Sequence, residues 1–358
     1  TVLAAVTATV LIGLHVDALR QCFLQPCNAA CGDEARGSCR SDALTLVLGV
    51  LVALMGLARV PMLDVAAGWA GLQVAHAGVH PAFWIYFAGA FACGAAACLK
   101  CRWMPHIGVL ACAAALAAVL TLEAPAPVAL LFLVMIGFIA FIVSVYSLGY
   151  MAHAHRQGWY WFFLLLTFAS LAGIVSTPDM AAMYGYWELM TFASYFLVVH
   201  EADRVAFDAG FKYYLMCAGG ALLMLPGMLL LGNGGLGLAD VRIQSALLSP
   251  HVLNMAALLC LIGFGVKAGL VPLHSWLPDA HPAAPSSVSG PLSGIITKMG
   301  MFGIVVLLLG QTNGGLFAGD YVFGLSWFGS VLTFMGAATL IFGELMALRQ
   351  DDIKRMLA

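Results

Sequence analysis

Three ionisable side chains stand inside strongly apolar stretches of the sequence: Glu188, Lys267 and Lys298. A charged side chain at the centre of a bilayer costs about 2.5–3.5 kcal/mol on insertion scales, so it persists only with a partner, a water-filled cavity or a function. Burial disfavours the charged forms of lysine and glutamate, which brings both groups towards proton exchange near neutral pH. These residues therefore indicate proton transfer within a membrane.

Glu188 and Lys267 have the chemistry of a switch. A carboxylate close to Lys267 would hold its ammonium group charged, and moving that carboxylate away would let the lysine release its proton. The alternative is a static buried ion pair that fixes helix packing. A second lysine and two nearby histidines favour the switch, because a static pair needs none of them. We therefore predict that Glu188 faces Lys267.

Lys267 is followed by a segment rich in proline and histidine, at residues 271–290. Pro272 and Pro278 have no backbone N–H, so each leaves the carbonyl one turn earlier without its helical donor. Irregular backbone at membrane depth survives only where it is buried in protein or lines a polar cavity. The sequence therefore predicts a proline-broken helix beside Lys267 and a hydrated site there.

Three further residues complete the predicted proton path. His274 and His281 are suited to relaying protons, because imidazole titrates near neutrality and has two exchangeable positions. The alternative is an ordinary loop at the membrane face that carries two solvated histidines. Lys212 opens a predicted span, where it could conduct protons or extend its ammonium group to the membrane interface.

The composition shows which elements must position these residues. Of the 358 residues, 63% are hydrophobic and 9% are charged, which excludes an ordinary soluble domain. Apolar runs long enough to cross a hydrocarbon core of about 30 Å recur along the chain. Such spans must be helices, because lipid offers the backbone no hydrogen-bond partner. We predict an all-α, polytopic transmembrane helical bundle, and the net charge of −2 gives no indication of nucleic-acid binding.

The apolar runs divide the chain into about eleven spans. Their predicted positions are residues 1–18, 42–60, 81–99, 107–123, 126–150, 159–177, 180–200, 212–232, 251–271, 291–310 and 326–347. Residues 236–248 are too few to span and are expected at the interface. Pro291 is expected to restart a helix after the broken segment. With the N-terminus outside, most lysines and arginines fall on the inner side, as the positive-inside tendency requires.

Motifs around the charged residues lead to a known family. The matching segments, in order, are Val145-Tyr-Ser-Leu-Gly-Tyr-Met151, Trp187-Glu-Leu-Met190, Gly263-Phe-Gly-Val-Lys267, Val271-Pro-Leu-His-Ser-Trp-Leu-Pro-Asp-Ala-His281 and Asp352-Ile-Lys-Arg-Met-Leu-Ala358. Together they resemble the antiporter-like subunits shared by respiratory complex I, energy-converting membrane hydrogenases and multisubunit cation/proton antiporters. The resemblance covers residues 127–358. The occurrence of all these segments in this order is specific to the family, whereas a match to any one of them alone would be weak evidence.

The resemblance implies a role for each site residue. In the family, the glutamate that matches Glu188 pairs with the lysine that matches Lys267, beside a broken helix. The lysine that matches Lys298 continues a hydrated central axis. Histidines such as His274 and His281 lie near that axis.

The resemblance also implies a domain organisation. Residues 126–358 are expected to form the antiporter-like core, with a five-helix unit at 159–310 and an incomplete second unit in inverted orientation. The exit group of the proton path is expected beyond Ala358, so we expect a truncated chain. Residues 1–125 depart from the two leading spans usual in the family. We predict that they form an extension of about four spans with a cysteine-bearing loop.

Four cysteines of that loop are candidate ligands: Cys22, Cys27, Cys31 and Cys39. If the loop faces the cytoplasm, they could hold zinc or an iron–sulfur cluster. If it faces outward, two disulfides are the natural outcome. Their spacing matches no standard ligand signature, which favours free thiols or disulfides. We predict no cofactor in this chain.

The predicted function is that of a proton-translocating membrane subunit of a redox-driven complex, of the energy-converting hydrogenase or complex I type. The sequence has no clear flavin, nicotinamide or iron–sulfur signature. We therefore expect a chain that is not catalytic alone, with partner subunits that carry iron–sulfur clusters, nickel–iron or flavin. The expected location is a bacterial or archaeal cytoplasmic membrane.

The alternative function is a subunit of a multisubunit Na+/H+ antiporter that acts without redox chemistry. Sodium sites need several oxygen ligands, and the spans offer few carboxylates besides Glu188. This shortage favours the redox-driven complex. An inert membrane scaffold is disfavoured by the buried charges.

Overall fold

The computed structural model describes residues 79–99, 101–122, 126–233, 235, 237–312, 315–317 and 325–357. The predicted spans at 1–18 and 42–60 lie outside these residues. So do the four cysteines of the predicted loop, Cys22, Cys27, Cys31 and Cys39.

The described residues form helices and contain no strand. In chain order the helices are α1 (Pro81–Cys98), α2 (Met104–Thr121), α3 (Pro127–Tyr150), α4 (Gln157–Ser176), α5 (Met180–Val198), α6 (Arg204–Gly232), α7 (Leu238–Gln244), α8 (Pro250–Ala268), α9 (Leu277–Ala283), α10 (Ser286–Leu309), α11 (Trp327–Ala347) and α12 (Ile353–Leu357). The predicted all-α class is confirmed for this part of the chain.

The long helices coincide with the predicted spans that fall within the described residues. Eight of them are long and apolar enough to cross a membrane, and α5, which contains Glu188, is the long helix outside this group. α7 lies in the segment predicted to be too short to span. The total of about eleven spans stays a prediction. So do the inverted repeat and the division into residues 1–125 and 126–358.

α6 begins earlier than predicted, at Arg204 rather than at Lys212. The carboxylate of Asp203 caps the helix by accepting the backbone N–H of Ala206 at 2.6 Å. Such a cap satisfies one of the amides that the first turn leaves unpaired. The first two turns are partly polar, so a prediction that follows the apolar run misses them. Lys212 therefore lies in the third turn of α6.

Small residues let α6 and α8 approach each other closely. A side-chain carbon added to Gly263 of α8 would lie 2.7 Å from the backbone oxygen of Gly220 in α6. A carbon added to Gly227 would lie 2.8 Å from the backbone oxygen of Ala256. Small residues at helix contacts are typical of membrane proteins, where close packing drives helix association. This packing sets α8, with Lys267 in its last turn, against α6.

α10 begins at Ser286, so the prediction that Pro291 restarts this helix was wrong. The carbonyl of Pro285 accepts the N–H groups of Val288 and Ser289 at 2.8 and 3.0 Å. These bonds start the helix before Pro291 is reached. Pro291 lies inside this helix, where it has no N–H to donate to the carbonyl of Ser287.

Candidate functional site

Lys267 lies in the last turn of α8 and is only 1% exposed. Its Nζ donates to Oγ1 of Thr191 in α5 and to the hydroxyl of Tyr213 in α6, both at 3.0 Å. The Nζ also lies 4.8 Å from the centre of the Tyr213 ring, which is a cation–π distance. A buried ammonium group is tolerated only when it is hydrogen-bonded. Hydroxyls from two other helices meet that need here.

A polar stripe runs along α5 on the side that contacts Lys267. It consists of residues three or four positions apart: Tyr184, Glu188, Thr191 and Ser194. Residues with this spacing share one face of a helix, with Cβ atoms about 5–6 Å apart. The hydroxyl of Tyr184 donates to Oε1 of Glu188 at 2.9 Å, and the hydroxyls of Ser194 and Tyr213 lie 2.6 Å apart. Glu188 is therefore one helical turn from the Thr191 hydroxyl that binds the lysine.

The hydrogen bonds of Lys267 Nζ go to Thr191 and Tyr213, and a direct pairing of the lysine with Glu188 stays a prediction. The hydroxyls of Thr191 and Tyr213, which hold the ammonium group directly, were missed by the sequence reasoning. Tyr213 stands next to Lys212 in the sequence, but no charge or breaker marks it as a site residue.

α8 ends at Gly269, which adopts a left-handed conformation with a φ of +75°. The N–H groups of Gly269 and Leu270 bond to the carbonyls of Val266 and Gly265 at 3.3 and 2.9 Å, as in many helices that end at a glycine. The predicted break beside the buried lysine is present. The residue that makes it is a glycine, three residues before Pro272. We call the residues between α8 and α10, 269–285, the interrupted segment.

Pro278 lies in the first turn of α9, a position that suits proline because the first N–H groups of a helix have no helical acceptor. The carbonyl of His274, which we expected Pro278 to leave free, accepts the N–H of Leu277 at 2.9 Å. Pro278 therefore starts a short helix within the interrupted segment.

Trp276 of the interrupted segment contacts the last turn of α8 and the ring of Tyr213, on the side of the buried lysine. Its Nε1 donates to the carbonyl of Val266 at 2.8 Å, and its ring centre lies 4.8 Å from that of Tyr213. The indole is fully buried and helps to satisfy the last turn of α8. The sequence reasoning did not single out Trp276. The available signal was a large aromatic residue with one N–H donor between two prolines.

Two buried nitrogen atoms of the interrupted segment have no hydrogen-bond partner among the described residues: Nδ1 of His274 and Nε2 of His281. Buried polar groups are almost always bonded to protein or to ordered water, because an unsatisfied one costs about 1–3 kcal/mol. The segment therefore has the polarity expected of a hydrated site. The action of His274 and His281 as proton relays stays a prediction.

Lys212 forms an ion pair with Asp279, a residue that the sequence reasoning did not single out. Its Nζ lies 2.7 Å from Oδ2, and both side chains are 41% exposed. A pair as exposed as this contributes about 0–1 kcal/mol to stability. The pair joins the third turn of α6 to the first turn of α9. Lys212 thus holds the interrupted segment, and a role for it in proton conduction stays a prediction.

Lys298 lies twelve residues into α10, deeper than predicted because the helix starts earlier. Its side chain is exposed on the described part of the chain, and its Nζ donates to the carbonyl of Ser293 at 3.2 Å. α10 is π-helical over Leu292–Ile296, where the N–H of Thr297 bonds to the carbonyl five residues back. This widening leaves the Ser293 carbonyl available to a side chain, and such turns are frequent at functional sites. The place of Lys298 on a proton axis stays a prediction.

A second histidine site lies just after the end of α5 at Val198. The ring of His200 is centred 5.7 Å from that of Tyr160, whose hydroxyl lies 2.6 Å from Oγ of Ser147. Burial, together with the charges of Arg156 and His155, lowers the pKa of His200 from 6.5 to about 4. His200 is therefore neutral in the folded protein at neutral pH.

The free energy of unfolding should fall as the pH drops through this range. The unfolded chain binds a proton at His200 near pH 6.5, whereas the folded protein binds it only near pH 4. The stabilising contribution of neutral His200 is therefore complete above pH 6.5 and is lost as the pH falls to about 4. In His200→Gln, thermal unfolding in detergent should lose this part of the pH dependence. The same pH dependence in the variant and the wild type would contradict the assignment.

Two family models match the sequence. A model described as "NADH:quinone oxidoreductase/Mrp antiporter, TM" matches residues 176–358, a little more than half of the chain. The chain belongs to this family. A second model, "NADH-Ubiquinone oxidoreductase (complex I), chain 5 N-terminus", matches residues 126–163. The first match includes Glu188, Lys267 and the interrupted segment, so the resemblance inferred from the motifs is confirmed.

Individual relatives match only part of their own length. Hydrogenase-4 component B of Escherichia coli (strain K12) is 37% identical over 230 residues, which cover 62% of this chain and 32% of the relative. NAD(P)H-quinone oxidoreductase chain 4 1 of Synechococcus sp. (strain JA-3-3Ab) is 32% identical over 208 residues, which cover 57% of this chain and 38% of the relative. The chain thus spans about a third of the length of each relative.

The fold also has a counterpart among solved structures. A chain of the membrane-bound sulfane sulfur reductase, an archaeal respiratory membrane complex, aligns with a TM-score of 0.68 and 20% identity. The alignment covers 77% of this chain and 61% of the other. An identity this low shows the fold alone. Together with the family and the apolar helices, it identifies an integral, multi-pass membrane protein.

The described residues contain no cluster of metal-ligating side chains. In that part of the chain, no group of three or more histidine, cysteine, aspartate or glutamate side chains could hold a metal ion. Cys22, Cys27, Cys31 and Cys39 lie outside it, so their state stays a prediction.

Proposed function

We propose that the chain is a proton-translocating membrane subunit of a redox-driven respiratory complex, of the hydrogenase or complex I type. The observation that carries the proposal is the environment of Lys267. This lysine is buried, and its ammonium group donates to two hydroxyls. One of them belongs to Thr191, which lies one helical turn from Glu188 on α5. The lysine itself lies in the last turn of α8, where that helix is interrupted. Relatives named as hydrogenase and quinone oxidoreductase subunits support the redox assignment.

The hydroxyls around Lys267 allow it to gain and lose a proton. In the charged form, Nζ donates to Thr191 and Tyr213. In the neutral form, the amine can accept a hydrogen bond, and the Tyr213 hydroxyl can turn to donate it. Both protonation states are thus satisfied without moving a helix. A buried lysine that contacted only a carboxylate would lose its compensation on deprotonation and leave the carboxylate unpaired.

Glu188 supplies the charge that controls the lysine. A carboxylate on the same face of α5 favours the charged form of Lys267, and weakening that attraction favours release of the proton. Tyr184 holds the carboxylate at 2.9 Å. The next acceptors along the chain are His274 and His281, whose unsatisfied ring nitrogens can bind water that carries the proton onward.

Electron transfer is assigned to other subunits. We propose that these partners carry iron–sulfur clusters and nickel–iron or flavin, and that the complex lies in a bacterial or archaeal cytoplasmic membrane. The name of hydrogenase-4 component B supports the hydrogenase type, and that of the Synechococcus relative supports the quinone oxidoreductase type.

Purification of the tagged chain from its native membrane tests the redox assignment. We expect hydrogenase or quinone-reducing subunits and iron–sulfur proteins to co-purify. In sealed vesicles, proton movement should begin only when an electron donor and acceptor are added, and a protonophore should abolish it. Co-purification with small antiporter subunits alone, and proton movement driven by a sodium gradient without an electron donor, would establish the Na+/H+ antiporter instead.

A further inference from the structure

The interrupted segment is tied at both ends to the last two helices of the described chain. Near its start, the backbone N–H of Val271 donates to Oγ1 of Thr339 in α11 at 2.9 Å. Near its end, Nζ of Lys354, in α12, donates to the carbonyl of Ala284 at 2.9 Å. The partners are 68 and 70 residues apart in sequence, so no local geometry enforces either bond.

Thr339 provides an acceptor that the interrupted helix lacks. α8 has ended at Gly269, so the N–H of Val271 must find its partner outside the helix. Oγ1 of Thr339 itself donates to the carbonyl of Met335 one turn earlier, at 2.7 Å. Because its proton is used there, the oxygen is left to accept the N–H of Val271. The two bonds fix both the threonine side chain and the start of the segment.

Lys354 provides a hydrogen-bond donor at the other end of the interrupted segment. Ala284 directly follows α9, where the last carbonyls of a helix have no helical donor. The partly buried ammonium group of Lys354 supplies one, and its charge also acts on His281. On the opposite side, Lys212 of α6 pairs with Asp279. α9 is therefore held between lysines from two different helices.

We propose that Thr339 and Lys354 are positioning residues that fix the interrupted segment to α11 and α12 and so hold His281 in place relative to Lys267. The inference rests on the proposed function, because it gives the segment a part in proton transfer. It makes α11, together with α8, an element that controls transfer past the buried lysine. In the sequence, Thr339 is one polar residue in an apolar run and Lys354 one of several inner-side cations.

Two substitutions at Thr339 separate its hydroxyl from its shape. Thr339→Val keeps the branched shape and removes the acceptor, whereas Thr339→Ser keeps the hydroxyl. In the intact complex, amide hydrogen exchange at Val271 should be about fivefold faster in Thr339→Val, which corresponds to one ordinary hydrogen bond. Exchange in the body of α8 should not change. The number of protons moved per electron should fall severalfold, and Thr339→Ser should restore both quantities.

Two variants of Lys354 test the other end of the interrupted segment independently. They also keep the proposal testable if Thr339→Val fails to assemble into the complex. Lys354→Arg keeps a charged donor for the carbonyl of Ala284, and Lys354→Met removes it. We expect faster exchange over α9 and a lower proton yield in Lys354→Met. Lys354→Arg should behave as the wild type.

Unchanged exchange in both Thr339→Val and Lys354→Met would overturn the proposal. Faster exchange with an unchanged proton yield would overturn it too, because the ties would then hold the segment without positioning it for transfer. Failure of the proposed function gives a different result, in which Lys267→Met leaves the proton yield unchanged. If Lys267→Met loses the proton yield while amide exchange is unchanged in Thr339→Val and Lys354→Met, the positioning role of Thr339 and Lys354 is overturned and the proposed function stands.

Discussion

Replacing Lys267 with methionine is expected to slow redox-driven proton movement by about 100-fold, as befits the loss of a well-placed proton-transfer group. Methionine keeps a long, flexible, apolar side chain that fills the space of the lysine stem. It removes the ammonium group that donates to Thr191 and Tyr213. Electron transfer in the partner subunits should stay measurable, because the change affects the proton path.

Proton movement and redox activity should be measured in the same sealed vesicles. Arg204→Met is the matched control, because that side chain is 92% exposed and its contact with Asp208, at 4.0 Å, is a surface ion pair. Surface pairs of this kind contribute little to stability, so the control should behave as the wild type. Proton movement at unchanged stoichiometry in Lys267→Met would remove Lys267 from the path.

The charged part of the site could be predicted from the sequence because a bilayer makes buried charge conspicuous. Glu188 and Lys267 stand out in apolar runs, and the structure places Glu188 on the polar stripe of α5 and Lys267 against Thr191 of that stripe. That Glu188 faces Lys267 stays a prediction. The uncharged part could not be predicted in this way. Thr191 and Tyr213 are ordinary members of apolar helices, and only the packing of α5, α6 and α8 brings their hydroxyls to the lysine.

Helix ends show a similar limit. The prolines predicted an interruption, and it is present, but Gly269 ends α8 before Pro272 because a left-handed glycine satisfies the last carbonyls at once. Pro291 was the predicted start of the next helix, whereas the helix begins at Ser286. Several breakers stand close together in this region. Which of them acts depends on tertiary contacts that a single sequence does not contain.

Contacts between distant residues set the position of the interrupted segment. Asp279 and Lys354 lie in family-matching segments and Thr339 lies in an apolar run, but nothing in the sequence shows that each bonds to a residue at least 67 positions away. Lys212 was singled out for its charge, and its partner became visible only in the structure. The sequence thus marks the ionisable groups of the candidate site, whereas the groups that hold them in place become visible only in the structure.

Replacing Glu188 with glutamine is expected to slow redox-driven proton movement about as much as the loss of Lys267, again about 100-fold. The amide has nearly the size of the carboxylate and can still accept the hydrogen bond of Tyr184. It carries neither a charge nor an exchangeable acidic proton. Glu188→Asp, which keeps the carboxylate on a shorter side chain, should retain part of the yield. Wild-type proton movement in Glu188→Gln would contradict a role for this carboxylate.

The double variant Glu188→Gln/Lys267→Met separates a proton path from a static ion pair. In a static pair, each single change leaves one buried charge uncompensated, which typically costs about 3–5 kcal/mol, and removing both charges restores stability. If the two residues served packing alone, the double variant should regain thermal stability in detergent and proton movement in vesicles together. A proton path needs both groups, so we expect stability to return while proton movement stays lost.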